Sequence, residues 1–366
     1  MSGPYGGPHI LLKRALREGV DGARLGTFLT LLAKTSMSAP AAFASRLGDR
    51  WRAPRAPALE PVFILGHYRS GTSLVHKLLA ADPRLGTVDT FDLLFPFAPV
   101  ALKRVLRPNV QAMVDRLGVR QGFFHEYPLR LDDPNEIEPW LLATGSEWSS
   151  YWGFLFPRRA LYHLERFVRF PDVDTRARWQ RAYEHAVRRA TLRSGGRRLV
   201  VKDPPNTGRI NALLELWPDA GFVHVRRDPR GVLVSMRELW RTTILPRFAL
   251  QRITEEEVAG VVLGHYETLM QGWHAEHASI PRGRCVELRY EELVRAPLSQ
   301  IERIYADLPL HPFAGARPAV DARLALERNY RPGRYEDDPP LPRGWEAAIA
   351  RWRARLGYPQ SASAGT

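Results

Sequence analysis

Three groups of residues in this sequence have the types and spacing to hold a polyanion. The first is Gly66-His-Tyr-Arg-Ser-Gly-Thr-Ser73, directly after the apolar run Pro61-Val-Phe-Ile-Leu65. Gly66 and Gly71 allow a tight backbone path. The amides of Ser70, Gly71, Thr72 and Ser73 then face an anion at the start of a helix running to about Ala81. Arg69 adds a fixed charge with forked donors. The second group lies in Val225-Arg-Arg-Asp-Pro-Arg-Gly-Val-Leu-Val-Ser235. Asp228 suits an N-cap and Pro229 a first helical position. Arg227 ends a strand, and Ser235 follows about two helical turns later, so one phosphate across the helix start can meet both. Arg226 and Arg230 stand nearby with weaker claims. The third is Lys202 in Val200-Val-Lys-Asp-Pro-Pro-Asn206, which projects at a strand end beside the first loop.

The glycine spacing of the first loop matches a nucleoside-triphosphate loop, but Thr72 stands where that loop carries its lysine. The loop therefore suits phosphate and is a poor triphosphate cradle. A proton acceptor is sought among carboxylates. Glu136 and Glu138, in Asp133-Pro-Asn-Glu-Ile-Glu-Pro-Trp140, are the candidates for general base. The same string also reads as a helix start, with Asp133 as N-cap and Glu136 closing a capping box. Residues two apart on a helix point in different directions, so at most one of the pair is the base. His67 and His125 are further candidates, each with an ordinary structural reading. Aromatics gather at Trp140, Trp148, Tyr151, Trp152, Phe154 and Phe156, as a core cluster or as a wall over an apolar acceptor. No metal-ligating cluster is evident, and no metal is expected.

The first loop resembles the 5′-phosphosulfate loop of the sulfotransferase superfamily. It is most similar to the Arg-Ser-Gly-Thr forms of the tyrosylprotein and large bacterial branches. Cytosolic aryl sulfotransferases usually carry Lys where this chain has Arg69. The Arg227–Ser235 spacing is similar to the family's 3′-phosphate motif, and Lys202-Asp-Pro resembles the tyrosylprotein string whose lysine is catalytic. The Glu136–Glu138 segment is similar to a Pro-Gln-Glu-Asp-Glu string of bacterial members, and Asp89 aligns roughly with the catalytic glutamate of the tyrosylprotein branch, which makes it a further candidate base. Tyr330-Arg-Pro-Gly-Arg-Tyr335 stands where the family makes its last nucleotide contacts, which adds Arg331 and Arg334. The resemblance spans about Pro61 to Tyr358. It implies transfer of a sulfuryl group from 3′-phosphoadenosine-5′-phosphosulfate (PAPS) to a hydroxyl or amine on a small-molecule, lipid or glycan acceptor. A P-loop kinase or NTPase, with Asp203 as its metal-binding acid, and a non-catalytic nucleotide-binding protein are the alternatives.

The elements that must position these groups are short Val-, Ile- and Leu-rich strands alternating with helices. Strands are predicted at Pro61–Gly66, Arg198–Asp203, Gly221–Arg227 and Cys285–Tyr290. Helices are predicted from Asp174 to Arg193 and from Thr254 to Ala278, the latter capped by Thr254 and Glu257. The fold class is α/β: a P-loop-like, mostly parallel sheet flanked by helices, with a helical N-terminal arm and insertions. In such sheets ligands bind beyond the carboxyl ends of the strands, where all three groups fall. The expected domains are a helical arm and linker over 1–55, a catalytic domain over 56–360 and a disordered tail over 361–366.

The net charge is +14, yet only five of the 53 Lys and Arg residues are lysine. Such a skew, with no long basic block, does not call for nucleic acid as a partner. A basic pocket for a small polyanion is compatible with it. No apolar run approaches the roughly 20 residues that cross a bilayer. One cysteine, Cys285, excludes an intrachain disulfide and fits a cytoplasmic location. Residues 10–47 read as one or two amphipathic helices: a packing arm, a homodimer contact or a membrane-surface element.

Overall fold

The computed structural model describes residues 8–52, 59–117, 129–327 and 340–360. His125, Arg331, Arg334 and the 361–366 tail lie outside these residues.

Strand β1, Val62–Leu65, is four apolar residues with every side chain buried. A strand buried on both faces must be covered by helices on both, which favours parallel pairing through helical crossovers. The sheet has that form. With β2 (Leu85–Gly86), β5 (Arg198–Lys202), β6 (Gly221–Arg226) and β7 (Cys285–Arg289), it runs in the order β2-β5-β1-β6-β7, all parallel. Alternate β1 residues feed separate cores. Phe63 and Leu65 join Leu199, Val201 and Phe222 on one face, and Val62 and Ile64 join Val200, Val223 and Val225 on the other. A two-residue ladder of β3 (Val88–Asp89) against β4 (Pro134–Asn135) stands beside the sheet.

Register brings the chemistry to one edge. Ile64 pairs with Lys202 and with Val223, so the ends of β5, β1 and β6 line up. Helix α3, Thr72–Leu79, follows β1, and the helix Pro229–Leu239 follows β6. The latter starts as read from the sequence: the Asp228 side chain accepts from the Arg230 amide at 2.8 Å, with Pro229 in the first turn. It continues into a π-helix, Trp240–Phe248, containing Pro246. The long helices form over Val173–Arg193 and Glu255–Glu276, and the second carries the expected Thr254/Glu257 capping box.

One local expectation is overturned. Asp133 does not start a helix: Pro134 and Asn135 pair with Asp89 and Val88 instead, and the helix begins at Ile137. Glu136 is therefore the last extended residue, and its side chain caps nothing. The arm comprises α1, Pro8–Glu18, and α2, Leu25–Arg52. Ile10, Leu11 and Phe28 of the arm pack on Trp152, Phe156 and Leu250.

Candidate active site

The loop between β1 and α3 follows from its glycines. Gly66 has φ 136° and Gly71 φ 99°, both in the region that favours glycine. A Cβ on Gly66 would lie 2.5 Å from the Val225 carbonyl oxygen, and one on Gly71 would lie 2.5 Å from the Tyr290 ring. Arg69 sits between them with φ 67°, an uncommon conformation for a residue with a Cβ. Two contacts hold it there. Arg227 Nη1 donates to the Arg69 carbonyl at 2.8 Å, and Arg69 Nε donates to Ser235 Oγ at 2.8 Å. Ser70 is buried and donates from its hydroxyl to the His67 carbonyl at 2.7 Å, closing the turn. The Arg227 guanidinium lies 4.2 Å over the Tyr290 ring.

A cavity of about 400 Å³ opens beyond the strand ends. Arg69, Gly71, Thr72, Ser73, Lys202, Glu136 and Arg227 all line it. Seven of the residues singled out in the sequence, drawn from four separate segments, thus face one space. Tyr68, Tyr151, Phe154, Leu239 and Ile244 supply an apolar and aromatic wall, and Lys77, Leu324 and Glu327 form another. Of the predicted aromatic cluster, Tyr151 and Phe154 reach the cavity, while Trp140, Trp152 and Phe156 are buried in the cores.

Glu136 is the carboxylate nearest the reading from sequence. Its Oε1 pairs with Lys202 Nζ, and its Oε2 accepts from the Tyr151 hydroxyl. Both oxygens are thereby aimed. Burial together with the Glu136 charge pushes the Tyr151 and Tyr68 hydroxyls well above the usual phenol range, so both stay protonated donors.

Glu138 points elsewhere. It is fully buried, its Oε1 accepts from Arg209 Nη2 at 2.6 Å, and its Oε2 takes the Ser150 amide at 2.9 Å and the Ser149 hydroxyl at 2.8 Å. It does not line the cavity. Asp203 is also fully buried. It accepts from the Tyr183 hydroxyl at 2.5 Å and from the Glu138 amide at 3.0 Å. Burial, and then the charges of Glu136 and Glu138, hold the Asp203 carboxyl well above the usual range. Because Asp203 follows Lys202, its bond to the Glu138 amide ties the Glu136 segment to the Lys202 strand.

Two of the other candidate bases, Asp89 and His67, lie within the described residues. Asp89 caps the helix Thr90–Leu94 and pairs with Lys103 and Arg107. Burial and the Asp92 charge raise it to about 6. His67 is buried, its Nδ1 lies 2.7 Å from the Tyr68 carbonyl, and burial lowers it to about 4. Neither lines the cavity.

Sequence reasoning passed over Lys77 and Glu327, which pair at 3.0 Å in the cavity wall. Lysine scarcity singled out Lys202 and could equally have singled out Lys77. Tyr290 ends a predicted strand, and its contacts with Gly71 and Arg227 depend on packing that leaves no mark in the sequence.

A model of the sulfotransferase family matches residues 61–313. The chain belongs to the sulfotransferase family. Among curated relatives, the omega-hydroxy-beta-dihydromenaquinone-9 sulfotransferase Stf3 of Mycobacterium tuberculosis is 29% identical over 278 residues, covering 75% of this chain and 69% of the relative. A putative protein-tyrosine sulfotransferase of Caenorhabditis elegans is 30% identical over 114 residues, 31% of this chain and 40% of the relative. The solved structure of sulfotransferase STF9 from Mycobacterium avium superposes with a TM-score of 0.68 at 17% identity, covering 96% of each chain. STF1 from Mycobacterium tuberculosis gives 0.64 at 18% identity, covering 85% of this chain and 84% of that one. At these identities the two structures speak for the fold. This sulfotransferase shares their helix-covered parallel sheet, and its reaction requires a sulfuryl donor. No helix among its described residues is long and apolar enough to cross a membrane.

Proposed function

We propose that this sulfotransferase takes PAPS as its donor and sulfates a hydroxyl carried on an elongated apolar molecule. The observation carrying the reading is the convergence of Glu136, Lys202, Arg69 and Arg227 on one cavity. The fit to a bisphosphate donor rests on two separate features. The loop Arg69–Ser73 runs into the N-terminus of α3, where backbone amides and the helix dipole favour one anionic group. Arg227, bonded to the Arg69 carbonyl, offers donors for the other, and the buried Ser235 hydroxyl, which accepts from Arg69, stands behind them. The donor, when bound, supplies the activated sulfuryl group and a phosphate leaving group.

The chain's own residues then divide the work. Glu136 takes the proton from the acceptor hydroxyl. Lys202, paired with it, supplies a compact positive charge to the developing charge on the leaving oxygen. Tyr151 keeps the Glu136 carboxylate aimed, and Glu138 with Arg209 and Asp203 holds the backbone beneath it. Arg331 and Arg334 remain assigned to the nucleotide by family resemblance.

The acceptor class rests on the wall formed by Phe154, Leu239 and Ile244 and on the menaquinone-type acceptor named for the Mycobacterium tuberculosis relative. The decisive experiment titrates the protein with 3′-phosphoadenosine-5′-phosphate by calorimetry, with ATP in parallel. It then follows labelled sulfate from PAPS into long-chain alcohols and hydroxylated prenylquinones. Bisphosphate binding with weak ATP binding and labelled apolar product is expected. Tight ATP binding without bisphosphate binding would overturn the donor, and label entering only polar acceptors would overturn the acceptor class.

A further inference from the structure

Seventeen large hydrophobic side chains are exposed among the described residues, and they are not scattered. Six lie on the arm: Leu12, Leu16, Leu25, Leu29, Met37 and Phe43. Six more fall between residues 94 and 117, a segment that meets α2 where Ala42 packs on Phe97. The four on α2 fall within an arc of about 120° at 3.6 residues per turn. Phe28 and Ala42 occupy the opposite, buried side. A helix lying on a protein normally turns its polar side to water. Here α2 turns an apolar side outward, with Met37 82% and Phe43 64% exposed.

The charges on this face have one sign. No Asp or Glu occurs between Gly22 and Gly48. The exposed ionised side chains from residue 8 to residue 45 are Lys13, Arg17 and Lys34. The two acids between residues 8 and 45, Glu18 and Asp21, are engaged by Arg14 and by Arg158. Apolar side chains flanked by basic ones suit an anionic bilayer surface, into which such a helix sinks lengthwise. A second copy across a two-fold axis would set this basic, acid-free face against itself.

The arm is also fastened to the cavity. Arg24 donates to the Leu245 and Pro246 carbonyls at 2.7 and 3.0 Å, within the π-helix whose Ile244 lines the cavity. We propose that the outer face of α1 and α2 is an interfacial docking surface for anionic lipid membranes, which sets the apolar cavity wall beside a membrane-borne acceptor. The last clause rests on the acceptor class proposed above, whereas the docking surface does not.

The test sediments the full chain with vesicles of phosphatidylcholine containing about one-third phosphatidylglycerol. Wild type should pellet with these and less with pure phosphatidylcholine. Leu29→Glu/Met37→Glu should stay in the supernatant, its near-ultraviolet circular dichroism unchanged. Lys13→Ala/Arg17→Ala/Lys34→Ala should lose roughly 100-fold in partitioning and most of its salt dependence. Failure of wild type to pellet, equal pelleting of the variants, or a dimer that Leu29→Glu/Met37→Glu splits in analytical ultracentrifugation would overturn the docking surface. Vesicle binding without sulfation of any embedded alcohol would keep the surface and overturn the acceptor class. Sulfation of such an alcohol without vesicle binding would do the reverse.

Discussion

Arg69 donates through Nε to Ser235 Oγ at 2.8 Å, across the gap between the loop after β1 and the helix after β6. The two anion sites read separately from the sequence are therefore mechanically one. Arg227 completes the link by bonding the Arg69 carbonyl. Arg69 is held in its left-handed conformation from both its side chain and its backbone.

That linkage predicts unequal effects of truncation. Ser235→Ala removes a hydrogen bond to a charged group, so affinity for 3′-phosphoadenosine-5′-phosphate should fall about tenfold. Arg227→Ala removes a charge, its donors and the lock on the loop, so roughly 100-fold or more should be lost. Arg69→Lys should not restore wild-type binding, because an ammonium cannot reproduce the Nε bond to Ser235 while presenting a fork to a ligand. Calorimetric titration of the three variants checks the order. Equal losses for Ser235→Ala and Arg227→Ala would contradict it.

The ion pair between Glu136 and Lys202 predicts a kinetic signature. Removing the proposed proton acceptor as Glu136→Gln keeps the shape and should lower kcat by about 100- to 10,000-fold. Lys202→Ala should lower kcat by about 100- to 1,000-fold, as expected when a preorganised cation is removed from the leaving oxygen. Neither change should weaken bisphosphate binding to a similar degree. Tyr151→Phe should cost less than either, since Lys202 still orients the carboxylate. Single-turnover kinetics with saturating donor separates these effects from product release. A Lys202→Ala enzyme with normal turnover would remove that residue from the chemistry.

Four of the five strands of the sheet were legible because local signals sufficed, whereas β2, two residues long, left none. The run Val62–Leu65 is short and bounded by Pro61 and Gly66, which reads as a buried strand, and Asp228-Pro229 reads as a helix start. Choosing between Glu136 and Glu138 was beyond the sequence. Their separate fates depend on where the helix begins, and long-range pairing of Pro134–Asn135 with Val88–Asp89 moved that start to Ile137. The buried partners of Glu138 come from three other segments, with Arg209 71 residues away. Lys77 and Glu327, 250 residues apart, meet only because the helix Arg317–Glu327 packs on α3. Such meetings leave no mark in spacing.

Glu138 and Arg209 predict a stability effect in place of a kinetic one. Both side chains are fully enclosed, and the guanidinium also bonds Asn206 and the Phe167 carbonyl while lying 4.1 Å over Trp179. Removing one partner strands the other charge away from water. Arg209→Met should therefore cost about 3–5 kcal/mol in urea unfolding. Glu138→Gln should cost a comparable amount, because it leaves the Arg209 charge buried without its counter-charge and turns an amide NH2 towards groups that donate to the carboxylate. If Glu138→Gln keeps its fold yet loses turnover as completely as Glu136→Gln, the division of roles between the two carboxylates is wrong.

The buried histidines predict how stability depends on pH. Burial lowers His67 to about 4 and holds His76 and His265 at about 3. In the unfolded chain each titrates near 6.5. Between these values the unfolded state binds protons that the folded state refuses, so stability falls as pH drops below about 6.5. Asp89 works in the opposite sense. Raised to about 6 in the fold, it takes up a proton there before its unfolded counterpart does, which favours the fold as pH falls from 6 towards 4. Asp203, held well above the usual carboxylate range, works with Asp89, so the three histidines stand against two raised carboxyls and the net slope is a loss of stability on acidification. Further buried groups adjust the slope: His163 and His224 add to it, and Glu60 and Glu276 subtract. Urea unfolding at pH 7, 6 and 5 should show the midpoint falling with the steepest step below pH 6. His265→Phe, which leaves an apolar ring among Tyr68, Phe154 and Trp240, should flatten that step by about one proton. A midpoint that rises on acidification would show that the carboxyl groups outweigh the histidines.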